Sequence, residues 1–202
     1  MNILALHTLW SYKKELYYVT LTFLLTLFLP VIAVIVIANT GIEIVADHLA
    51  SVSVTNHKIE IHDPATGKVL TTLDVGTLWP VKGVVTLEFG EVDLPYQPLH
   101  TGIDIAGRIG DPVTPFMKGT VTYVGDLSWG YGKHVIIDNG NHITSLYAHL
   151  SAVYVKEGQE VKPGHIIGKE GQTGWATGLH VHFEVRVFGI PVNPRTFVES
   201  NP

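Results

Sequence analysis

Two histidines separated by one residue, His180 and His182, lie in a segment whose residues alternate between apolar and polar. Positions 179, 181, 183, 185 and 187 are apolar, and the positions between them are polar. This period of two predicts a β-strand that presents both imidazoles on one face, with Cα atoms about 6–7 Å apart. Two such imidazoles can share a metal ion, although an exposed polar strand face produces the same pattern.

A histidine and an aspartate four residues apart, His100 and Asp104, form the second candidate pair. Imidazole nitrogen and carboxylate oxygen are both zinc ligands, at about 2.0–2.2 Å from the ion. An extended chain would hold the two Cα atoms about 13 Å apart, so a bend is expected, and Gly102 is where a bend costs least. Together with one more histidine, this pair would leave one position of a tetrahedral zinc ion open, as in catalytic zinc sites. For the segment 100–104 alone, the alternative is that His100 and Asp104 are two unrelated loop residues.

Two more polar residues, His149 and Glu184, are further candidates for the same site. The segment around His149 by itself indicates only a histidine at the end of a strand. Glu184 shares the predicted strand face of His182 and could orient that imidazole, but an exposed carboxylate is the favoured interpretation. Surface or packing roles are expected for the histidines that have no partner at informative spacing, which are His7, His48, His57, His62, His142 and His165.

The elements that must position these residues are predicted to be β-strands. Residues 78–198 contain short runs rich in Val, Ile, Thr and Tyr, separated by Gly and Pro, and no segment there predicts a useful amphipathic helix. Asn139-Gly140 is a strong signal for a two-residue hairpin turn. We therefore expect a mainly β domain, an antiparallel sheet or sandwich-like fold with long loops. The predicted strands are 113–124, 134–138, 142–148, 153–155, 166–169 and 179–187.

The amino-terminal part of the chain predicts a membrane anchor. Residues 16–38 are uncharged and almost wholly apolar, and a helix of that length spans about 35 Å, enough to cross the ~30 Å hydrocarbon core. Lys13 and Lys14 precede the segment, so residues 1–15 are expected in the cytoplasm and the following domain outside it. A buried core helix and a cleavable signal peptide are the alternatives. Residues 39–77 are expected to form a linker with a small β-hairpin, its first strand at 58–62.

Composition excludes several classes of protein. The chain has no cysteine, so thiolate zinc sites, cysteine nucleophiles and disulfides are excluded. Its formal net charge is −5 with no cluster of Lys and Arg, which argues against a nucleic-acid partner.

The motifs, taken in order, resemble the lysostaphin-type (LytM-like) zinc metallopeptidases of bacterial cell walls. That family has H-x-x-x-D, then Tyr-x-His-Leu, then G-x-T-G and a further T-G before H-x-H-F-E, and residues 100–104, 147–150 and 171–184 match these motifs. The resemblance covers residues 79–197. Ala176 and Leu179 stand where Ser and Pro are common in the family, which puts the loop before the H-x-H in doubt without touching a ligand.

This resemblance implies a role for each matching residue. His100, Asp104 and His182 are expected to bind Zn²⁺, while His149 and His180 are expected to face the open metal position, orient the attacking water and stabilise the charged intermediate. The implied function is that of a membrane-anchored zinc endopeptidase of the cell envelope. It would hydrolyse peptide bonds in peptidoglycan stems or cross-bridges through a zinc-activated water.

Two other functions fit parts of the sequence. Some relatives lose zinc ligands and act as binding or activating modules for other wall hydrolases, but both ligand motifs are intact in this chain. Residues 113–171 are also similar in pattern to carrier domains of the lipoyl or biotinyl kind. Such carriers have neither the ligand trio nor a use for an outward-facing anchor.

Overall fold

The computed structural model describes residues 14, 16–29, 46, 48–55, 58–74, 78–92 and 99–198. The chain divides into two compact units, Met1–Gly41 and Ile42–Pro202. In the first unit residues 16–29 are α-helical, and their apolar side chains are exposed.

The described residues include no helix with the length and apolar character needed to cross a membrane. The predicted span at 16–38 therefore lacks support from this helix, while residues 30–38 lie outside the described part of the chain.

The second unit is built almost entirely of short β-strands. In chain order the strands and one 3₁₀ turn are β1 (Val52–Thr55), β2 (Lys58–His62), β3 (Val69–Asp74), β4 (Val84–Leu87), β5 (Ile103–Ala106), β6 (Pro112–Val113), β7 (Gly119–Asp126), β8 (Lys133–Gly140), β9 (Ile143–Leu150), β10 (Ala152–Val153), β11 (Glu160–Val161), β12 (Gly168–Lys169), β13 (Val181–Val187), β14 (Ile190–Val192) and η1 (Pro194–Thr196).

One large antiparallel sheet carries the centre of this unit. Its strand order is β11-β7-β8-β9-β13-β5-β4, and β14 pairs with β13. The long central strands are rich in β-branched residues, which suit a pleated, buried surface. Core side chains such as Ile105, Val135 and Phe183 have no exposed surface, and burying each contributes about 1.5–3 kcal/mol. The prediction of a mainly β, antiparallel fold is confirmed.

Two small antiparallel sheets accompany the large one. Strands β10, β12 and β6 form the first, and β1, β2 and β3 form the second. In the second sheet the turn between β2 and β3 is closed by the amide of Gly67, which donates to the carbonyl of Asp63 at 2.8 Å. The hairpin expected in the linker is therefore present, with β1 as an additional strand that the sequence did not predict.

The prediction that residues 113–124 form a single strand is wrong. This segment forms the end of β6 in one sheet and most of β7 in another. Between β6 and β7, Pro115 has no amide hydrogen with which to form a hydrogen bond between strands. The amide of the next residue, Phe116, donates to the hydroxyl of Tyr147 at 3.0 Å instead of to a neighbouring strand. The short strands β4, β5, β11 and β14 were also not predicted.

The hairpin between β8 and β9 is present, but its turn lies two residues later than predicted. Gly140 pairs with Ile143, so the two central residues are Asn141 and His142. Their φ angles are 53° and 63°, and positive φ at both central residues is what a type I′ turn requires. Gly140 belongs to β8, next to an irregularity in the strand register, and was mistaken for the turn.

Candidate active site

The register of the large sheet brings the candidate residues together. Strand β13 lies between β5 and β9, with His182 directly opposite Asp104 on one side and Ala148 on the other. Because His149 follows Ala148, this pairing also places it near His182. The rings of His149 and His182 are 6.0 Å apart between centroids.

His100 is held by the backbone that follows β4. Its amide donates to the carbonyl of Glu91, and its own carbonyl accepts from Gly90, both at 2.8 Å. Its Nδ1 lies 3.0 Å from the carbonyl oxygen of Glu88, and only 1% of the residue is exposed. Since a carbonyl only accepts, Nδ1 donates to it, which leaves Nε2 facing Asp104.

Gly102 serves a different purpose from the one predicted. Its φ is not among the positive values found in the chain, so the segment does not bend there through a left-handed residue. A Cβ at this position would instead lie 2.4 Å from the carbonyl oxygen of Phe183 and 2.9 Å from Cγ of Glu184. Glycine is required because the segment that carries His100 passes directly against β13.

Three donor atoms of His100, Asp104 and His182 converge on one another. The Nε2 of His100 lies 3.0 Å from Oδ1 of Asp104 and 2.9 Å from Nδ1 of His182. That Nδ1 lies 2.8 Å from the same aspartate oxygen. Two imidazole nitrogens and one carboxylate oxygen in mutual contact are a suitable donor set for a divalent cation such as zinc.

The three residues His100, Asp104 and His182, called the trio below, form a site that favours a positive charge. Burial alone would lower the pKa of His182, but hydrogen bonds and charge from Asp104 and Glu184 raise it to about 9. Burial would raise the pKa of Asp104, and the hydrogen bonds from His100 and His182 lower it below its usual range instead. A proton on Nδ1 of His182 balances the carboxylate in the metal-free protein, and a bound cation would take the place of that proton.

His149 occupies a β-bulge rather than a regular strand position. The register between β8 and β9 shifts between Lys133 and Val135, and His149 has a φ of 61°. Tyr147, two residues earlier, is completely buried, whereas the side chain of His149 lines the cleft. A bulge redirects a side chain, and here it turns the imidazole toward the cleft.

The imidazoles of His149 and His180 are arranged alike. Nδ1 of His149 donates to the carbonyl of Thr173 at 2.8 Å, and Nδ1 of His180 donates to that of Gly178 at 3.1 Å. Each Nε2 therefore carries a lone pair when the ring is neutral. The two rings lie 4.7 Å apart, and Nε2 of His180 is 3.4 Å from Oδ2 of Asp104.

Both rings are neutral at neutral pH. Burial, together with the proximity of His180, lowers the pKa of His149 to about 4. Burial likewise lowers the pKa of His180. Two unprotonated nitrogens beside a cation site can accept a proton from water during catalysis.

The interpretation of Glu184 as an exposed carboxylate is wrong. The residue has no exposed surface, because β13 is covered on both faces. Its Oε1 lies 3.0 Å from Nε2 of His182, and its Oε2 accepts from Nε of Arg186 at 2.7 Å. The alternation of the sequence predicted the correct strand face for Glu184 but not its burial.

A cleft of about 320 Å³ opens onto these residues. Besides the histidines and Asp104, its walls include Trp129, Tyr131 and Trp175, which the sequence analysis missed. The two tryptophan rings lie 6.1 Å apart and are about half exposed. Aromatic residues within the glycine-rich segment 127–132 were the signal that could have identified this wall.

Several known proteins are similar to this chain. Residues 98–194 match the sequence model of the family described as Peptidase family M23. DD-carboxypeptidase/endopeptidase Mpg of Neisseria meningitidis serogroup B is 48% identical over 104 residues, covering 52% of this chain and 24% of the relative. Murein hydrolase activator NlpD of Escherichia coli is 38% identical over 120 residues, covering 59% of this chain and 30% of the relative. This chain thus matches less than a third of the length of either relative.

A solved structure covers the matching region almost completely. It is the catalytic domain of EnpA, a prophage-encoded M23 protein from Enterococcus faecalis, with a TM-score of 0.54 and 36% sequence identity. The match spans 61% of this chain and 97% of that domain. The strand register, the cleft and these similarities agree, and the chain belongs to peptidase family M23.

Proposed function

We propose that this chain is a zinc metalloendopeptidase that hydrolyses peptide bonds of peptidoglycan, with His100, Asp104 and His182 as the metal ligands. The observation that carries the proposal is the convergence of three donor atoms within 2.8–3.0 Å of one another. The neutral imidazoles of His149 and His180 line the same cleft. A metal site beside two proton acceptors is an arrangement that can hydrolyse an amide.

The chemistry divides between the metal and the chain's own residues. A bound zinc ion would polarise the scissile carbonyl and lower the pKa of water at the open position. Nε2 of His149 or His180 accepts the proton of the attacking water as its oxygen bonds to the carbonyl carbon. The same imidazole then gives the proton to the departing amide nitrogen as the C–N bond breaks. The hydrogen bonds at Nδ1 keep each ring in the required orientation.

Peptidoglycan is the proposed substrate because of the relatives and the cleft. One relative is named a DD-carboxypeptidase/endopeptidase and another a murein hydrolase activator. A cleft of about 320 Å³ with an aromatic wall has room for a few small residues of a peptide. We extend the proposal to a location in the cell envelope, with the domain held outside the cytoplasm by an anchor at residues 16–38.

The test is digestion of purified peptidoglycans with different cross-bridges by the full chain, with product masses as the readout. We expect new amino termini at one type of peptide bond, loss of the products after chelation, and recovery with added zinc. His182→Ala should abolish cleavage, whereas His165→Ala, at an exposed histidine outside the cleft, should leave it unchanged. Cleavage that persists after complete removal of metal contradicts the proposal.

The second candidate function is that of an activator for other wall hydrolases. The similarity to a protein named murein hydrolase activator favours it. On this hypothesis the chain alone releases no products from any peptidoglycan, yet it increases the rate at which an added amidase or peptidase does so. Stimulation that is unchanged in His182→Ala would favour the activator over the enzyme.

A further inference from the structure

Glu184 stands out among the polar groups behind the cleft, because a completely buried carboxylate is costly unless it is fully paired. Its Oε1 accepts three hydrogen bonds, from the hydroxyl of Tyr131 at 2.6 Å, the hydroxyl of Thr101 at 2.7 Å and Nε2 of His182 at 3.0 Å. Its Oε2 accepts from Nε of Arg186 at 2.7 Å. Both carboxylate oxygens of Glu184 therefore accept hydrogen bonds from other groups of the protein.

The bond to His182 determines how that ring can act. Glu184 accepts the hydrogen on Nε2, so Nδ1 is the ring nitrogen that faces Asp104 and His100. This Nδ1 lies 2.8 Å from Oδ1 of Asp104 and 2.9 Å from Nε2 of His100. The ring of Tyr131 packs against His182 with centroids 5.7 Å apart, which limits rotation about the side-chain bonds. The carboxylate thus fixes both the tautomer and the orientation of the imidazole.

The bond to Thr101 connects the two ligand-bearing segments. Thr101 adjoins His100, whereas Glu184 lies two residues after His182 on β13. The absence of a side chain at Gly102 leaves room for Cγ of Glu184, since a Cβ there would lie 2.9 Å from it. One carboxylate therefore holds the His100 segment and β13 at a fixed separation.

Arg186 supplies the counter-charge. Its side chain is about one-third exposed, and it reaches from solvent to Oε2 of Glu184 and to the hydroxyl of Tyr131, the latter at 3.2 Å. The pair is charge-neutral, so the buried carboxylate adds no net charge beside the metal ligands.

We propose that Glu184, held by Arg186, Tyr131 and Thr101, is a positioning residue of the metal centre that sets the affinity of the trio for zinc. This inference rests on the proposed function, because it takes His100, Asp104 and His182 as the ligands. Outer hydrogen-bond partners of this kind typically contribute 10–100-fold to metal affinity.

The principal variant is Glu184→Gln, which keeps the shape of the side chain. The amide NH₂ must then face either Arg186 or the three donors at Oε1, so donors oppose donors in both orientations. We expect the zinc dissociation constant of the full chain, measured by competition with a chromogenic chelator, to rise about 10–100-fold. Cobalt substitution should give an altered visible spectrum, since the geometry of His182 changes.

The control is Glu170→Gln, at another glutamate with no exposed surface. Glu170 accepts from the amide of Gly107 at 2.8 Å and makes no hydrogen bond with the trio. Its substitution should leave the zinc dissociation constant and the cobalt spectrum unchanged. Tyr131→Phe, which removes one donor to Glu184, provides a milder variant, and we expect a smaller rise in the dissociation constant.

The outcomes separate this inference from the proposed function. If the unaltered chain binds no zinc, the proposed function fails. If it binds zinc and both Glu184→Gln and Tyr131→Phe bind equally tightly, the positioning role is overturned. Should Glu184→Gln fail to fold, Tyr131→Phe decides: weaker zinc binding at an unchanged melting temperature of the metal-free form supports the inference, and unchanged binding contradicts it.

Discussion

His149 provides the first test at the scale of single residues. It is the candidate furthest from the ligand motifs, and its Nδ1 is tied to Thr173 so that Nε2 remains available. We expect His149→Ala and His149→Gln to lower the hydrolysis rate about 10²–10⁴-fold, the usual contribution of a positioned acid–base group. Zinc content and melting temperature should change little. If activity falls only as far as stability does, His149 is a structural residue.

The two histidines of the H-x-H motif should differ in function. His182 lies within 3.0 Å of both other trio residues, whereas Nε2 of His180 is 3.4 Å from Oδ2 of Asp104. We therefore expect His182→Ala to lose zinc and activity together, and His180→Ala to keep most zinc while losing most turnover. Metal analysis and hydrolysis rates on the same samples test this division. Equal zinc loss in the two variants would contradict it.

The identities of the candidate site residues could be predicted from the sequence better than any other feature of the site. The spacing of His100 to Asp104 and of His180 to His182 indicated residues that the fold does bring together. The outer partner Glu184 was misjudged because alternation reports which side of a strand a residue occupies, whereas burial depends on what packs against that side. The side chains of Thr101 and Tyr131, which contact Glu184, decide that question, and no local pattern reveals them.

At the scale of elements, the close passage of the His100 segment over β13 gives a prediction. Gly102→Ala would place a methyl group 2.4 Å from the carbonyl oxygen of Phe183. We expect a loss of about 1–3 kcal/mol in unfolding free energy, as for overpacking elsewhere, and weaker zinc binding. Denaturant unfolding with and without zinc measures both.

Gly178→Ala is the matched comparison for stability. A Cβ at Gly178 meets no heavy atom within 4 Å, and its φ is not positive. Its unfolding free energy should stay within about 0.5 kcal/mol of the parent, as expected for a surface substitution. A Gly102→Ala variant as stable as Gly178→Ala would show that the two segments can separate without cost.

Strand content was predictable, but turns and strand ends were less so. Runs of β-branched residues indicated β8, β9 and β13, because those strands are long and buried. The hairpin turn at Asn141 and His142 was misplaced, since a neighbouring Asn-Gly pair gave the stronger local signal. Strands β4, β5 and β14 were missed because they contain only three or four residues each and are defined by their partners.

For the whole molecule, the proposed anchor at residues 16–38 and the orientation of the domain that follows it can be tested together. In the helix at residues 16–29 Leu16 and Phe23 are 67% and 64% exposed, but the described part of this helix is not long and apolar enough to cross a membrane. We expect protease added to intact spheroplasts to digest the domain that carries His182. Protection in intact cells, with digestion after disruption, would place that domain inside and overturn the predicted orientation.

The trio also links distant parts of the chain, because Asp104 and His182 are 78 residues apart in sequence. A metal ion held by both would act as a reversible cross-link that exists only when strands β5 and β13 are assembled. Zinc at a thousand times its dissociation constant should then add about 4 kcal/mol to the unfolding free energy. Chelation should lower the melting temperature of the parent and leave that of His182→Ala unchanged, as calorimetry can show. Zinc supply would thus govern how long the folded domain survives, whatever its effect on the proposed hydrolysis.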